Sequence, residues 1–103
     1  MTESEFHRAA DAVYARLESL LEPHEALDVD REGSVLTIEC PDGSKVVMSR
    51  QPPLAEIWVA ARSGGFHYAW REGAWRDTRS GAELFGALGA ILAAQAGVAL
   101  DSR

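Results

Sequence analysis

The sequence predicts an α+β protein: a two-layer α/β sandwich with N- and C-terminal helices packed on one face of a five- to six-stranded antiparallel sheet. Three observations predict it. Apolar residues recur with the helical period near both ends of the chain. Between them, short alternating segments are separated by turns rich in Gly, Pro and Asp. Each terminal helix has one apolar stripe, so both must cover the same sheet face and leave the other to solvent. The 103 residues suffice for one domain with one modest core, and no repeat or linker divides them.

The first helix is expected over residues 4–22. Ser4 is its candidate N-cap, with His7 where a capping box would place Glu, and Pro23 is its stop. At the helical angular step, Phe6, Ala10, Val13, Leu17, Leu20 and Leu21 share the core-facing arc. Glu3, His7, Asp11, Glu18 and Glu22 share a neighbouring arc, so the acids form a stripe that borders the buried face. Residues 27–32 read as a strand with Leu27 and Val29 on one face and Asp28, Asp30 and Glu32 on the other. A turn at Gly33-Ser34 leads to a second strand over 35–40, with Leu36, Ile38 and Cys40 inward. Pro41-Asp42-Gly43-Ser44 turns the chain into a third strand, 45–49, with Val46 and Met48 inward. Arg50-Gln51-Pro52-Pro53 is expected to break the ladder. In a fourth strand, 56–61, Ile57, Val59 and Ala61 face inward, which places Trp58 on the open face. Strands over 66–70 and 74–77 follow. Ser80-Gly81-Ala82-Glu83 reads as a capping box for a helix over 81–96, with Leu84, Leu88, Ile91, Leu92 and Gln95 near one face and Gly97 as its C-terminal cap. Residues 98–103 are expected to lie as a short tail on the surface.

Charge is the feature that points to function. The first 32 residues hold nine acids and three bases, a balance of −6 that equals the net charge of the chain; the other 71 residues are neutral. Such a balance argues against nucleic acid, whose phosphates require Lys and Arg. It favours a cation or a basic protein surface. Crowded carboxylates repel one another, and a hard cation such as Ca²⁺, Mg²⁺, Mn²⁺ or Fe²⁺ relieves that repulsion. A helix beside a strand offers an open array rather than a closed cage, so weak, multi-site binding is expected. On composition alone, a solvated face is the commoner use of such a stripe. His7 lies at i, i+4 spacing from both Glu3 and Asp11, which suits it equally to joining them as a ligand and to a surface ion pair. His24 lies in the loop after the helix, and His67 is expected at the core edge or on the sheet surface. Trp58, with Gln51 nearby, would place an indole and an amide on the open face, where exposed Trp is a common interface anchor.

No run of apolar residues is long enough for a membrane span, and the acidic N-terminus does not read as a leader. The single Cys40 provides neither an internal disulfide nor a thiolate metal site, which makes a reducing cytoplasm the expected compartment. No phosphate loop, metalloprotease helix or nucleophile motif is present, so an enzyme is not expected.

Several stretches together resemble the bacterial frataxins of the CyaY type. They are Ser4-Glu5-Phe6-His7-Arg8 with Ala10-Asp11, Val35-Leu36-Thr37-Ile38, Gly43-Ser44-Lys45, Arg50-Gln51 with Pro53-Leu54 and Ile57-Trp58, Gly64-Gly65-Phe66-His67, Trp75, Arg79-Ser80-Gly81 and Ala94-Gln95-Ala96-Gly97. The resemblance runs from end to end and implies the same sandwich. It further implies weak binding of iron, Fe²⁺ and Fe³⁺, on an acidic ridge at Glu3, Glu5, His7, Asp11, Glu18, Glu22, Asp28 and Asp30. It implies a role in iron–sulfur cluster assembly as iron donor or iron-dependent regulator, with a cysteine desulfurase and the iron–sulfur scaffold protein as partners and Gln51, Trp58, Glu18 and Glu22 in contact with them. A cytoplasmic monomer in the absence of iron is expected. A ferroxidase or iron-storage oligomer and a metal-independent interaction module are the alternatives. Two departures from the family pattern bear on this. The Glu22-Pro23-His24-Glu25-Ala26-Leu27 loop is thinner in acids than is usual, and Ser49 stands where Asn is common.

Overall fold

The computed structural model describes residues 1–100 and contains two helices, six strands and one 3₁₀ turn. In chain order these are α1 (Glu3–Leu21), β1 (Asp28–Glu32), β2 (Val35–Glu39), β3 (Lys45–Gln51), the 3₁₀ turn Pro52–Leu54, β4 (Glu56–Ala61), β5 (Gly64–Arg71), β6 (Ala74–Asp77) and α2 (Leu84–Ala96). The strands form one antiparallel meander in sequence order, β1 to β6, so β1 and β6 are its edges. Both helices contribute to the core on one face of the sheet, as the paired apolar stripes require. None of the described helices is long and apolar enough to cross a membrane.

The α1 arc buries Phe6, Ala10, Val13, Leu17 and Leu21, while Leu20 is only partly buried. They meet Leu36, Ile38, Val46, Met48, Ile57 and Val59 from the sheet and Leu84, Leu88 and Leu92 from α2. Tyr14 is fully buried as well, with its hydroxyl donating to the Ser34 carbonyl at 2.7 Å. It was missed in the sequence because its phenol counts as polar in a strict apolar pattern. Gln95 is the polar residue on the buried face of α2. Its amide donates to Ser44 Oγ at 3.0 Å and to the Lys45 carbonyl at 3.2 Å, and its oxygen accepts from Arg62 N–H at 3.1 Å. A buried amide satisfied on both sides fixes α2 against the β2–β3 turn without an orphan cost. Cys40 is buried beside it.

Most boundaries shift by one or two residues, β5 beginning already at Gly64 and running to Arg71, and three of the differences have a clear physical cause. Thr2, not Ser4, caps α1: the Thr2 hydroxyl accepts from Glu5 N–H at 3.1 Å, and the Glu5 carboxylate accepts from Thr2 N–H at 2.7 Å. Thr2-Glu3-Ser4-Glu5 supplies the reciprocal pair that Ser4 with His7 lacks. β3 continues through Arg50 and Gln51, which pair with Ile57 and Glu56. The ladder ends only where Pro52 has no N–H to donate. α2 begins at Leu84, and its cap is Glu83, whose carboxylate accepts from Phe85 and Gly86 N–H. Ser80–Ala82 is held off the helix by Asp77, whose carboxylate accepts from Arg79 and Ser80 N–H while its backbone N–H donates to Ala82. Gly97 caps the far end in the left-handed conformation, φ +67°. Of the expected tail, Val98 and Leu100 pack partly against the core, and residues 101–103 lie outside the described residues.

Candidate functional site

The acidic stripe is real on α1, and it is not uniform. Glu3, Glu5, Asp11 and Glu22 are exposed, and His7 and Glu18 are half-buried. Glu5 is committed to the cap, where the Thr2 N–H holds its carboxyl below the usual carboxylate range. Asp11 is ion-paired with the Arg50 guanidinium, which likewise lowers its pKa through the hydrogen bond and the charge. The other terminal nitrogen of Arg50 lies 3.1 Å from His7 Nδ1, and His7 Nε2 lies 3.9 Å from Glu3. Glu18 accepts from Arg31 at 2.8 Å.

Both arginines project from the helix-facing side of the sheet. Arg50 pairs across the ladder with Ile57, and Arg31 with Leu36, both core positions. Tyr14 lies between them, with the Arg50 guanidinium 4.7 Å and the Arg31 guanidinium 5.0 Å from its ring centre. Burial raises the Tyr14 pKa, and the phenol remains neutral beside the two cations. This row of His7, Asp11, Tyr14 and Glu18 against Arg50 and Arg31 is a structural unit. The sequence signal for it was the parity of the strands: Arg50 is two residues past inward-facing Met48.

β1 behaves differently. Val29 and Arg31 share the helix-facing side, though Val29 is 39% exposed because an edge strand is incompletely covered. Asp28, Asp30 and Glu32 pair with Glu39, Thr37 and Val35, and thus belong to the open face of the sheet. The expected ridge is therefore divided. Its α1 members and its β1 members, Asp28 and Asp30, sit on different sides of the edge strand. Among the described residues, no group of three or more His, Cys, Asp or Glu side chains is placed to hold a metal ion. What the arrangement offers a hydrated cation is single carboxylate contacts. Glu22, Asp28 and Asp30 have no internal ion pair among those resolved. Asp28 faces Glu39 across the ladder, and Glu39 in turn faces Lys45, so this open-face row holds two acids and one base.

On the open face, Ser49, Trp58 and His67 form one cross-strand row, with Gln51 opposite Glu56 beside it. The Trp58 and His67 rings stack at 4.1 Å and 6° between planes. Trp58 Nε1 donates to Glu56 at 2.9 Å, and His67 Nδ1 lies 3.8 Å from the same carboxylate oxygen. Trp58 is thus on the solvent side as expected, and it is held there by His67 and Glu56, partners that only the ladder register brings together. His67 takes the sheet-surface position of the two expected for it. His24 lies in the loop after α1, where its backbone closes turns with Leu21 and Leu27.

A frataxin-like domain model matches residues 1–98. The chain belongs to the frataxin family. It is 45% identical over 98 residues to the iron–sulfur cluster assembly protein CyaY of Paraburkholderia xenovorans, covering 94% of this chain and 93% of that one. Among solved structures it is similar to the frataxin of Psychromonas ingrahamii, with a TM-score of 0.93 and 36% identity over 100% of this chain and 99% of that one. It is also similar to trimeric frataxin from the yeast Saccharomyces cerevisiae in its ferrous complex, with a TM-score of 0.66 and 31% identity over 85% and 80% of the two chains. The frataxin sandwich is therefore both the expected and the observed architecture.

Proposed function

We propose that this frataxin works in iron–sulfur cluster assembly as a non-enzymatic iron-binding protein. It carries iron loosely as cargo and acts as donor to, or iron-dependent regulator of, the cysteine desulfurase and its scaffold partner. The observation that carries this reading is that the carboxylates of Glu22, on α1, and of Asp28 and Asp30, on β1, form no ion pair among the described residues, in a chain whose relatives bear the names cluster assembly protein and ferrous-complexed frataxin. Oxygen-only, singly placed ligands hold Fe²⁺ weakly and release it readily. The same negative surface would steer the protein onto a basic patch of the desulfurase, so association should slow as salt rises. Gln51 and Trp58 supply the open-face contacts, with His67 and Glu56 orienting the indole.

The test is a titration of desulfurase-driven cluster assembly with this protein, with and without added Fe²⁺. An iron-dependent change in rate that Glu22→Lys, Asp28→Lys and Asp30→Lys together abolish is the expected result. An effect of equal size in the presence of a chelator would favour a metal-independent interaction module, the reading favoured by the lack of three converging ligands among the described residues.

A further inference from the structure

We propose that the recess at the hairpin end of β5 and β6 is a binding site for an uncharged planar aromatic molecule of one or two fused rings that carries a hydrogen-bond acceptor. The site is independent of the iron-binding reading and goes beyond it, for it lies by the β6 edge of the sheet, opposite the β1 edge. Trp70 and Trp75 are cross-strand partners on the helix-facing side. α2 leaves them uncovered. It starts level with Arg76, whose backbone bridges Glu83, and its last turn is tied through Gln95 to the Lys45 carbonyl, at the far ends of the strands. α1 passes the gap with Ala9 and Ala12, whose side chains are too short to fill it. The result is an open recess of about 380 Å³, within the ~300–1,000 Å³ range of small-molecule sites.

The walls set the chemistry. The two indoles meet edge to face, 5.5 Å between ring centres and 74° between planes, and Phe85 lines the side toward α2. Flat apolar walls suit a planar ring. Trp70 is 44% exposed, and a ring stacked on it would take that surface out of water. Trp75 is 3% exposed, and its Nε1 is buried without an acceptor. A donor left in this way carries a desolvation cost that an incoming acceptor removes. A ring nitrogen or a carbonyl on the ligand would supply one. The two charges at the rim are engaged, since Glu83 caps α2 and the Arg16 guanidinium lies 4.1 Å over the Phe85 ring. An uncharged ligand is therefore favoured over an ion. A second copy of the chain fits less well. Trp70 is the one strongly exposed large apolar side chain that lines the recess, whereas a stable interface covers about 800 Å² on each partner.

The experiment uses the full chain labelled with ¹⁵N and reads the indole N–H signals, with quinoline as probe and naphthalene as the isostere that lacks the acceptor. Trp70 and Trp75 line the recess, and Trp58, on the open face and bonded to Glu56, is the internal control. Quinoline should shift the Trp70 and Trp75 signals and leave Trp58 in place. It should move the Trp75 N–H further downfield than naphthalene does, because only quinoline accepts. Trp70→Ala removes a wall and Ala12→Leu fills the space, both at exposed positions. Each should weaken quinoline about tenfold or more, the scale of a changed contact in an apolar pocket, and an unmoved Trp58 signal shows that the fold is kept. The inference is overturned by no shift at millimolar quinoline, by equal shifts of all three indoles, or by the same Trp75 displacement with both ligands. Undiminished affinity in the two variants overturns it as well. Trp70 shifts that follow protein concentration with no ligand present would put a second copy in the recess, and that too would replace the small-molecule site.

Discussion

α1 and β1 both belong to the acidic first third of the chain, yet they present their charge in opposite ways. On α1, Asp11 and Glu18 face the sheet edge and are met by Arg50 and Arg31, with Tyr14 as the common platform. On β1, Asp28 and Asp30 alternate away from that layer, and Arg31 takes the inward position between them and Glu32. A strand of alternating acids delivers every acid to one face, whereas a helix beside a sheet delivers some of its acids to the sheet's own cations. Equal formal charge is therefore unequal charge available to a partner.

The sharpest way to break this comparison is to remove the platform. Tyr14→Ala deletes a fully buried ring that supports both arginines, and it should cost about 3–5 kcal/mol, measured by urea denaturation. It should also loosen both ion pairs together. Tyr14→Phe retains the platform and loses only the hydroxyl bond to Ser34, so about 0.5–1.5 kcal/mol is expected.

Acid separates the two regions next. The Asp11 carboxyl titrates lower in the folded protein than its unfolded value, because Arg50 stabilises the carboxylate. Its contribution is thus complete above the unfolded pKa of about 3.9 and is lost as pH falls through the lower folded value. Asp42 behaves in the same sense and more strongly, since Ser44 and Arg62 both bind its carboxylate. Stability measured from pH 7 down to pH 2 should therefore fall less steeply below pH 4 in Asp11→Asn, and less steeply still in Asp42→Asn. A slope in Asp11→Asn identical to that of the unaltered protein would remove Arg50 from the account.

The smallest effect is expected at the exposed pair. Glu18→Gln should change stability by no more than about 1 kcal/mol, with the difference vanishing in high salt. A larger, salt-insensitive loss would mean that the Arg31–Glu18 pair is held more firmly than an exposed ion pair.

How much of this was legible in advance differs by element. Ile57 and Val59 against Trp58, or Leu36 and Ile38 against Thr37, declare a half-buried sheet outright, because the period of two fixes both faces at once. Phe6 to Leu21 does the same for α1. The cap at Glu83 was less readable, since it depends on Asp77 retaining the Ser80–Ala82 segment. The site was half legible. That the acids gather near the N-terminus is a matter of sequence; that Asp11 is occupied and Asp28 is not required knowing where Arg50 and Arg31 arrive.

The amino-acid order alone thus determined the sandwich, the solvent side of Trp58 and the place of the excess negative charge, because periodicity and formal charge are local properties of the chain. The tertiary structure decided which carboxylates are already neutralised, how Tyr14 supports two guanidinium groups, and that Trp58, His67 and Glu56 form one cluster. Those are pairings between residues 2 to 43 positions apart, set by strand register and helix placement. A Coulomb interaction depends on separation in space, and separation in space is what folding supplies.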